Sequence, residues 1–381
     1  MSNENTQFQF IRSFLPVGQG AFYCEKFDFT DSSLSIVYDC GTVSRQSSIR
    51  NVIEETFKKG ESVDALFISH FHEDHVNGIP FLLERCKVKR IFFPAVSPLY
   101  KIILKFVNDK ILKAQKFTLD LSVDAVATLI KVIKDVNIIR DDKQETLLYM
   151  VRETGFDNET MTDIPSLDNI ILIRSGVNVL DQLMGKDSLL LKWGWQFVPF
   201  NFRQRELIIK LEAEMRSRYG ECFRWDMLED DFRDKAKRQE IKNLFRVKLG
   251  DPNVNSMVLY SGPKNPAIQI GGNQKDKRVS GCLYTGDYNA NMGNSWKQLK
   301  GAYGGLWNMV GYIQIPHHGS KHSFNRGMLD AGVEYVISAG ENNKYRHPHR
   351  EVIRWFDAKG NLHRVSELPK SRYDVTLGIG L

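Results

Sequence analysis

Three of the chain's nine histidines fall within six residues, His70-Phe71-His72-Glu73-Asp74-His75, with two carboxylates among them. The apolar run ahead of them, in "DALFISH", reads as a short buried strand with His70 at its C-terminal end. Side chains two apart on an extended segment point the same way, so His70 and His72 can grip one cation. Asp74 and His75 lie past the turn and can face a second one, and Asn77 and Gly78 continue the segment as a loop. Neutral imidazoles and carboxylates are the ligands that Zn²⁺, Mn²⁺ and Fe²⁺ take. Any fold of this chain must therefore bring a strand end to a place where further ligands can reach it.

Two later clusters are candidates for that role. "IQIPHHGSKHSF" ends a strand pattern with His317 and His318, and "NNKYRHPHREV" sets His347 and His349 just before a helix pattern. Between them and the first cluster, "LYTGDYN" is a strand that ends in Asp287. Eight of the nine histidines thus belong to three short loops, leaving His363 as an ordinary surface or core histidine. Functional groups gather at strand ends in α/β folds, which is the arrangement these loops imply.

The rest of the chain alternates strands with helices. "FQFIRSF", "AFYCEKFDF", "SLSIVYDCGT", "KRIFFPA", "NIILIRSGVNVL", "WGWQFVPF", "NSMVLYSG", "SGCLYTGD", "GYIQIP" and "YVISAG" are strand-like, and "SIRNVIEETFKKG" and "HREVIRWFDAKG" have helical spacing. Residues 97–165 carry apolar spacing of the helical kind, and residues 203–250 form a charged, glycine-poor stretch read as helices with mixed-sign faces. With no repeat and no low-complexity linker, the pattern predicts a single domain over 1–381 with helical insertions near 97–165 and 203–250.

Composition excludes several classes. Hydrophobic residues make up 42% and charged residues 26%, as in a globular protein and not in a disordered one. The net charge of +6 permits an anionic partner without requiring one. The opening "MSNENTQFQF" is polar, and no apolar run reaches the roughly 20 residues that cross a bilayer. Five scattered cysteines form no C-x-x-C pair. The expectation is a cytoplasmic chain with no membrane segment and reduced core thiols.

"HFHEDH" resembles the H-x-H-x-D-H signature of metallo-β-lactamase-fold hydrolases. "YDCGT" is similar to that family's early aspartate turn, with Asp39 buttressing the loops, and "TGD" to its bridging aspartate, Asp287. "PVGQGAF", "NSMVLY", "LYTGD", "IPHHGS" and "NKYRHPH" follow the order seen in the hydrolase domain of the DNA-uptake competence protein ComEC and its soluble relatives. The resemblance covers roughly residues 8–95 and 250–381 and leaves the two helical stretches outside.

It implies a four-layer αββα metallo-β-lactamase sandwich holding two divalent metal ions, Zn²⁺ or Mn²⁺. No histidine lies between Val76 and Pro316, where many members of the family supply a ligand, so "PHHGS" is the donor that remains. His318 is favoured, with His317 as a neighbour turned to ligand support or substrate. The implied arrangement has His70, His72 and His318 on one metal, Asp74, His75 and His347 on the other, and Asp287 between them sharing a hydroxide. His349 or Lys344 would steady the leaving oxygen, and Asp39 and Ser320 would orient ligands. Lys321, Lys344, Arg346 and Arg350 flank these loops, and cations beside a metal pair attract a phosphodiester. The expected function is a phosphodiesterase or nuclease acting on DNA. The alternative is hydrolysis of a small molecule such as a lactone, thioester or cyclic nucleotide.

Overall fold

The computed structural model describes residues 8–94, 145–152, 154, 170–184, 189–192, 194–202, 205–224, 227–228, 231, 234–249, 256–264, 280–330, 332–356 and 360–379. The strands are β1 (Phe8–Phe14), β2 (Gly20–Asp28), β3 (Ser33–Thr42), β4 (Ser62–Val63), β5 (Ala65–Phe67), β6 (Lys87–Val88), β7 (Arg90–Pro94) and β8 (Leu147–Val151). They continue as β9 (Ile170–Ile173), β10 (Trp195–Phe200), β11 (Val258–Pro263), β12 (Gly281–Tyr284), β13 (Val310–Gln314), β14 (Glu334–Ser338), β15 (Leu362–Val365) and β16 (Tyr373–Ile379). One sheet runs β16-β1-β2-β3-β5-β7-β8-β9 and the other β10-β11-β12-β13-β14-β15, while β4 and β6 pair separately. The first sheet is antiparallel up to β3 and parallel from there on; the second changes in the same way at β12.

Period-two alternation explains the layering. In β5, Leu66 faces one side while Ala65 and Phe67 face the other; in β7, Ile91 and Phe93 oppose Phe92. Leu66, Ile91 and Phe93 pack with Ile49, Val52 and Ile53 of the helix Gln46–Thr56 and with Leu82 and Leu83 of the helix Ile79–Arg85. Ile49, Val52 and Ile53 stand at i, i+3 and i+4, so one stripe of that helix is apolar. The opposite faces meet the second sheet, where Phe67, Phe92, Phe27 and Tyr23 lie among Phe197, Trp195, Leu259 and Tyr284. Beyond it, Leu283, Ile313 and Tyr335 pack under Leu299 and Tyr303 of the helix Ser295–Tyr303 and Val352 of the helix Arg350–Arg354. Helix, sheet, sheet and helix enclose three apolar layers: the expected αββα sandwich.

The middle layer also contains an ion pair. Arg12 Nε reaches Glu25 Oε1 at 2.7 Å, and its other nitrogens donate to the carbonyls of Ser280 (2.9 Å) and Ser261 (3.3 Å). Ser261 and Tyr284 donate to Glu25. Both charges are buried, so β1 and β2 are tied to the second sheet by a satisfied polar network.

Of the expected helical insertions, residues 95–144 and 155–169 lie outside the described residues. Leu147–Val151, within the 97–165 range, is not helical. Leu148 and Met150 join one apolar layer and Tyr149 and Val151 the next, which makes β8 a strand buried on both faces and parallel to β7. The 203–250 segment contains the helices Arg205–Tyr219 and Lys235–Leu249, with Leu211, Met215, Ile241 and Leu244 buried and Arg218 paired to Glu240 at 2.9 Å. Among the described residues, no helix is long and apolar enough to cross a membrane.

Glu25→Ala leaves the Arg12 charge buried without its partner. Chemical denaturation should show a loss of about 3–5 kcal/mol, the usual cost of breaking a buried pair from one side. A loss below about 1 kcal/mol would show that the network does not tie the sheets.

Candidate metal centre

The site begins at an irregularity in β3. Phe22 pairs with Cys40 and Tyr23 with Tyr38, so Asp39 is an extra residue bulged out of the ladder, with φ of 55°. A bulge re-aims a side chain, and aspartate tolerates left-handed φ better than most residues. Asp39 is fully buried and accepts from Ser69 N (2.7 Å), Ser69 Oγ (2.7 Å) and His75 Nδ1 (2.8 Å). One carboxylate thereby holds both ends of the His70–His75 loop.

The bonds also set which ring nitrogens face inward. His75 Nδ1–H donates to Asp39, so its Nε2 is the atom left for the cluster. With its own hydroxyl donating to Asp39, Ser69 Oγ accepts from His70 Nδ1 (2.9 Å), and Ser256 Oγ lies 3.2 Å from the same atom. Ser256 Oγ in turn accepts from Asp287 N (2.9 Å). His318 Nδ1 donates to the Ser338 carbonyl at the end of β14 (2.8 Å), which frees its Nε2. A second bond that fixes the tautomer in this way is what metal-binding histidines ordinarily have.

Two glycines let the loops close on one another. A Cβ on Gly41 would stand 2.5 Å from the backbone of Asp74 and His75. Gly286 has φ of 53°, and a Cβ there would stand 2.6 Å from Ser69 Cβ. Both close approaches need glycine.

The ligand atoms converge on Asp287. Its Oδ1 lies 3.1 Å from His75 Nε2 and 3.9 Å from His318 Nε2, while Oδ2 lies 3.6 Å from His317 Nε2 and 3.7 Å from His70 Nε2. The carboxylate thus offers one oxygen to each side. His318 Nε2 also lies 3.1 Å from Asp74 Oδ2. His70, His75 and Asp287 form one group with atoms close enough to share an ion, and Asp74, His75 and His318 form another. In this geometry His318 stands against Asp74, and His75 is common to both groups. His72 lies next to His70, with ring centroids 4.8 Å apart. His347 stands 5.4 Å from the His317 ring and 6.3 Å from that of His318, at the margin of the cluster.

The other expected residues are more distant from the convergence point. His349 Nδ1 accepts from Glu351 N (3.2 Å) and caps the helix Arg350–Arg354. Lys344, Arg346, Arg350 and Lys321 are all exposed. Ser320 Oγ accepts from the backbone N of His322 (3.3 Å), whereas Ser323 Oγ lies 3.1 Å from His317 Nδ1. The sequence reading missed Ser69 and Ser256, although both lie in quoted stretches, "DALFISH" and "NSMVLY".

Buried charge tests whether these residues suit metal. Burial, helped by His75, lowers His70 well below the usual imidazole range. Burial with His318 and His317 pushes His347 down to about 4. Burial opposes a charge on His75 as well, but Asp287, Asp39 and Asp74 hold it well above its usual range. For Asp74, burial is outweighed by His75 and His318, and for Asp287 by His317 and His75, so both stay ionised. Nε2 of His70, Nδ1 of His347 and Oδ1 of Asp287 are buried with no hydrogen-bond partner among the described residues. His75 Nε2 and Asp287 Oδ1 approach to 3.1 Å without hydrogen-bond geometry. Neutral His70 and His347, ionised Asp74 and Asp287, and carboxylates that favour positive charge at the place of His75 fit divalent metal ions.

Residues 30–102, the segment that carries the His70–His75 loop and Asp39, match the family model described as "Metallo-beta-lactamase superfamily". The curated relatives include "Ribonuclease J" of Mycoplasma genitalium, 32% identical over 80 residues, 19% of this chain and 14% of that protein. "Ribonuclease J" of Mycoplasma pneumoniae is 34% identical over 80 residues with the same shares. The matched stretch thus spans 14% of the length of these relatives. Among solved structures, MEM-A1, a subclass B3 metallo-beta-lactamase from a soil metagenome library, overlaps 80% of this chain and 75% of its own at a TM-score of 0.31 and 11% identity. The fold is read from the sheet order and the three apolar layers and not from that overlap.

Asp39→Ala should weaken metal binding about 10–100-fold although Asp39 need touch no ion, because it holds the ligands in place. Metal titration with circular dichroism as a fold control measures this, and unchanged affinity would show that the loop holds itself. His70→Ala with His72→Ala should remove at least one of about two bound ions per chain, measured by elemental analysis.

Proposed function

We propose that the chain is a metal-dependent hydrolase of phosphodiesters whose substrate is nucleic acid. One observation carries this reading: a buried His/Asp cluster, with Asp287 offering an oxygen to each side, opens next to a loop bearing exposed cations. Two divalent ions bound there would supply electrophilic activation of a phosphate and of water near neutral pH. His70, His72, Asp74, His75, Asp287, His318 and His347 are the proposed ligands, with His317 facing Asp287 Oδ2. Ser69, Ser256 and Asp39 orient them. His349 accepts at Nδ1 from the helix it caps, which makes Nε2–H the donor it can offer a leaving oxygen. Lys344, Arg346 and Arg350 attract the phosphate chain.

The name of the Mycoplasma relatives supports RNA ahead of DNA, and the resemblance of the motif order to that of competence-protein hydrolase domains supports nucleic acid more generally.

Metal-loaded protein should cleave RNA or DNA strands and lose the activity with chelator. Asp287→Ala should abolish cleavage while circular dichroism stays unchanged. Lys344→Ala should keep its metal but bind nucleic acid less tightly, with the logarithmic salt dependence of binding falling by about one unit for the lost phosphate contact. Hydrolysis of a lactone or a cyclic nucleotide, with no nucleic acid cleaved under any metal, would refute the proposed substrate class.

A further inference from the structure

The loop that brings His347 to the cluster also carries Tyr345, which is 49% exposed and the single exposed aromatic among residues with described side chains. Most other described aromatic rings are buried in or packed against the apolar layers, so the Tyr345 ring stands out as open to solvent next to the His/Asp cluster. The loop around it is rigid. The Asn343 side chain accepts from His347 N (3.0 Å) and donates to the carbonyls of Gly340 (2.7 Å) and His347. Arg346 N bonds to the Asn343 carbonyl (3.2 Å), with Arg346 held at φ of 58°. The Tyr345 ring is 6.0 Å from that of His347 at 25°, His347 is 5.4 Å from His317, and His317 Nε2 is 3.6 Å from Asp287. A row of rings thus leads from the ligands to solvent and ends at Tyr345. Exposed cations lie on both sides of it in sequence, and Lys344 Nζ stands 5.1 Å from its ring centroid.

We propose that Tyr345 is a stacking platform for an unpaired base next to the scissile phosphodiester, with Lys344 and Arg346 holding the flanking phosphates. The inference rests on the phosphodiesterase reading and adds to it that the substrate is single-stranded at this position. A base inside a duplex has both faces covered by its neighbours, so only an unstacked base can lie on the ring. Stacking needs no particular base, which makes Tyr345 a selector of strand state and not of sequence.

The test uses the metal-loaded full chain with three substrates of one length: a single strand, the same strand with an abasic site at the cleavage position, and a duplex. Wild type should prefer the single strand. Tyr345→Ala should raise KM for it about tenfold with metal content unchanged, and Tyr345→Phe should restore the wild-type value. On the abasic strand, Tyr345→Ala and wild type should coincide. An equal KM for Tyr345→Ala and wild type on the intact strand would overturn the inference, as would Tyr345→Phe falling as far as Tyr345→Ala or an undiminished loss on the abasic strand. In each of these cases cleavage by the wild type still stands, so the phosphodiesterase reading survives. Failure of the wild type to cleave any strand would overturn both.

Discussion

The metal loop depends on the carboxylate of Asp39. It takes two bonds from Ser69 and one from His75, and through Ser69 it governs His70 as well. These groups lie out of water, where a hydrogen bond to a charged acceptor is shorter and stronger and an unmade one more costly. Burial raises the pKa of Asp39, and His75 and the Ser69 bonds oppose that rise. The balance means that the loop is well formed only while all three donors are present. The bulge makes this possible. In regular pairing the side chain of residue 39 would follow the alternation of β3, while the extra residue turns it to the Ser69–His75 loop.

The sandwich brings together ligands that are far apart in sequence. Asp39 lies within β3 and Ser69 and His70 follow β5 of the first sheet, while Ser256, Asp287, His317 and His318 border strands of the second. Asp74 and His318, 244 positions apart, meet at 3.1 Å. Any slip between the two sheets would pull such pairs apart. Their relative position is set by the aromatic layer between them and by the Arg12–Glu25 network, which donates across the gap to Ser261 and Ser280. Tyr38 adds a tie close to the site, since its hydroxyl donates to the Met257 carbonyl (2.6 Å) while Met257 N donates to Ser69 O (2.7 Å).

Much of this was legible in the sequence because the informative residues are rare types at strand ends. Histidines 70, 72, 75, 317, 318 and 347 and the aspartates of "YDCGT" and "TGD" could be read as one cluster, and the period-two strands gave the layers. The supporting residues were less visible. Ser69 and Ser256 are of a common type, and nothing in their spacing marks a hydroxyl that will face a histidine. The bulge at Asp39 depends on pairing with β2, which a local pattern does not contain. The strand Leu147–Val151 was lost in an apolar stretch buried on both faces, where strand and helix look alike. The closeness of His318 to Asp74 was not visible in spacing either, since it follows from where β13 and β14 lie in the sheet.

Backbone strain shows the same organisation from another side. Among the described residues, four that are not glycine have positive φ: Asp39, His317, His318 and Arg346. All four lie in the loops of the cluster, and left-handed backbone costs an L-residue roughly 1–2 kcal/mol. Each is held by bonds that a relaxed loop would lose. Asp39 has its three donors, the Gly286 carbonyl accepts from His317 N (3.0 Å), His318 bonds to Ser338, and Arg346 is closed onto Asn343. Strain that is over-determined in this way clusters where geometry must be set before a ligand arrives. The loops therefore hold their donors converged in the protein itself, and ligands need little rearrangement to meet an ion. Arg346 stands apart from the other three because its side chain is exposed and takes no part in the cluster. A glycine would relieve the strain there, whereas the arginine keeps a positive charge at an exposed position of the loop that carries His347.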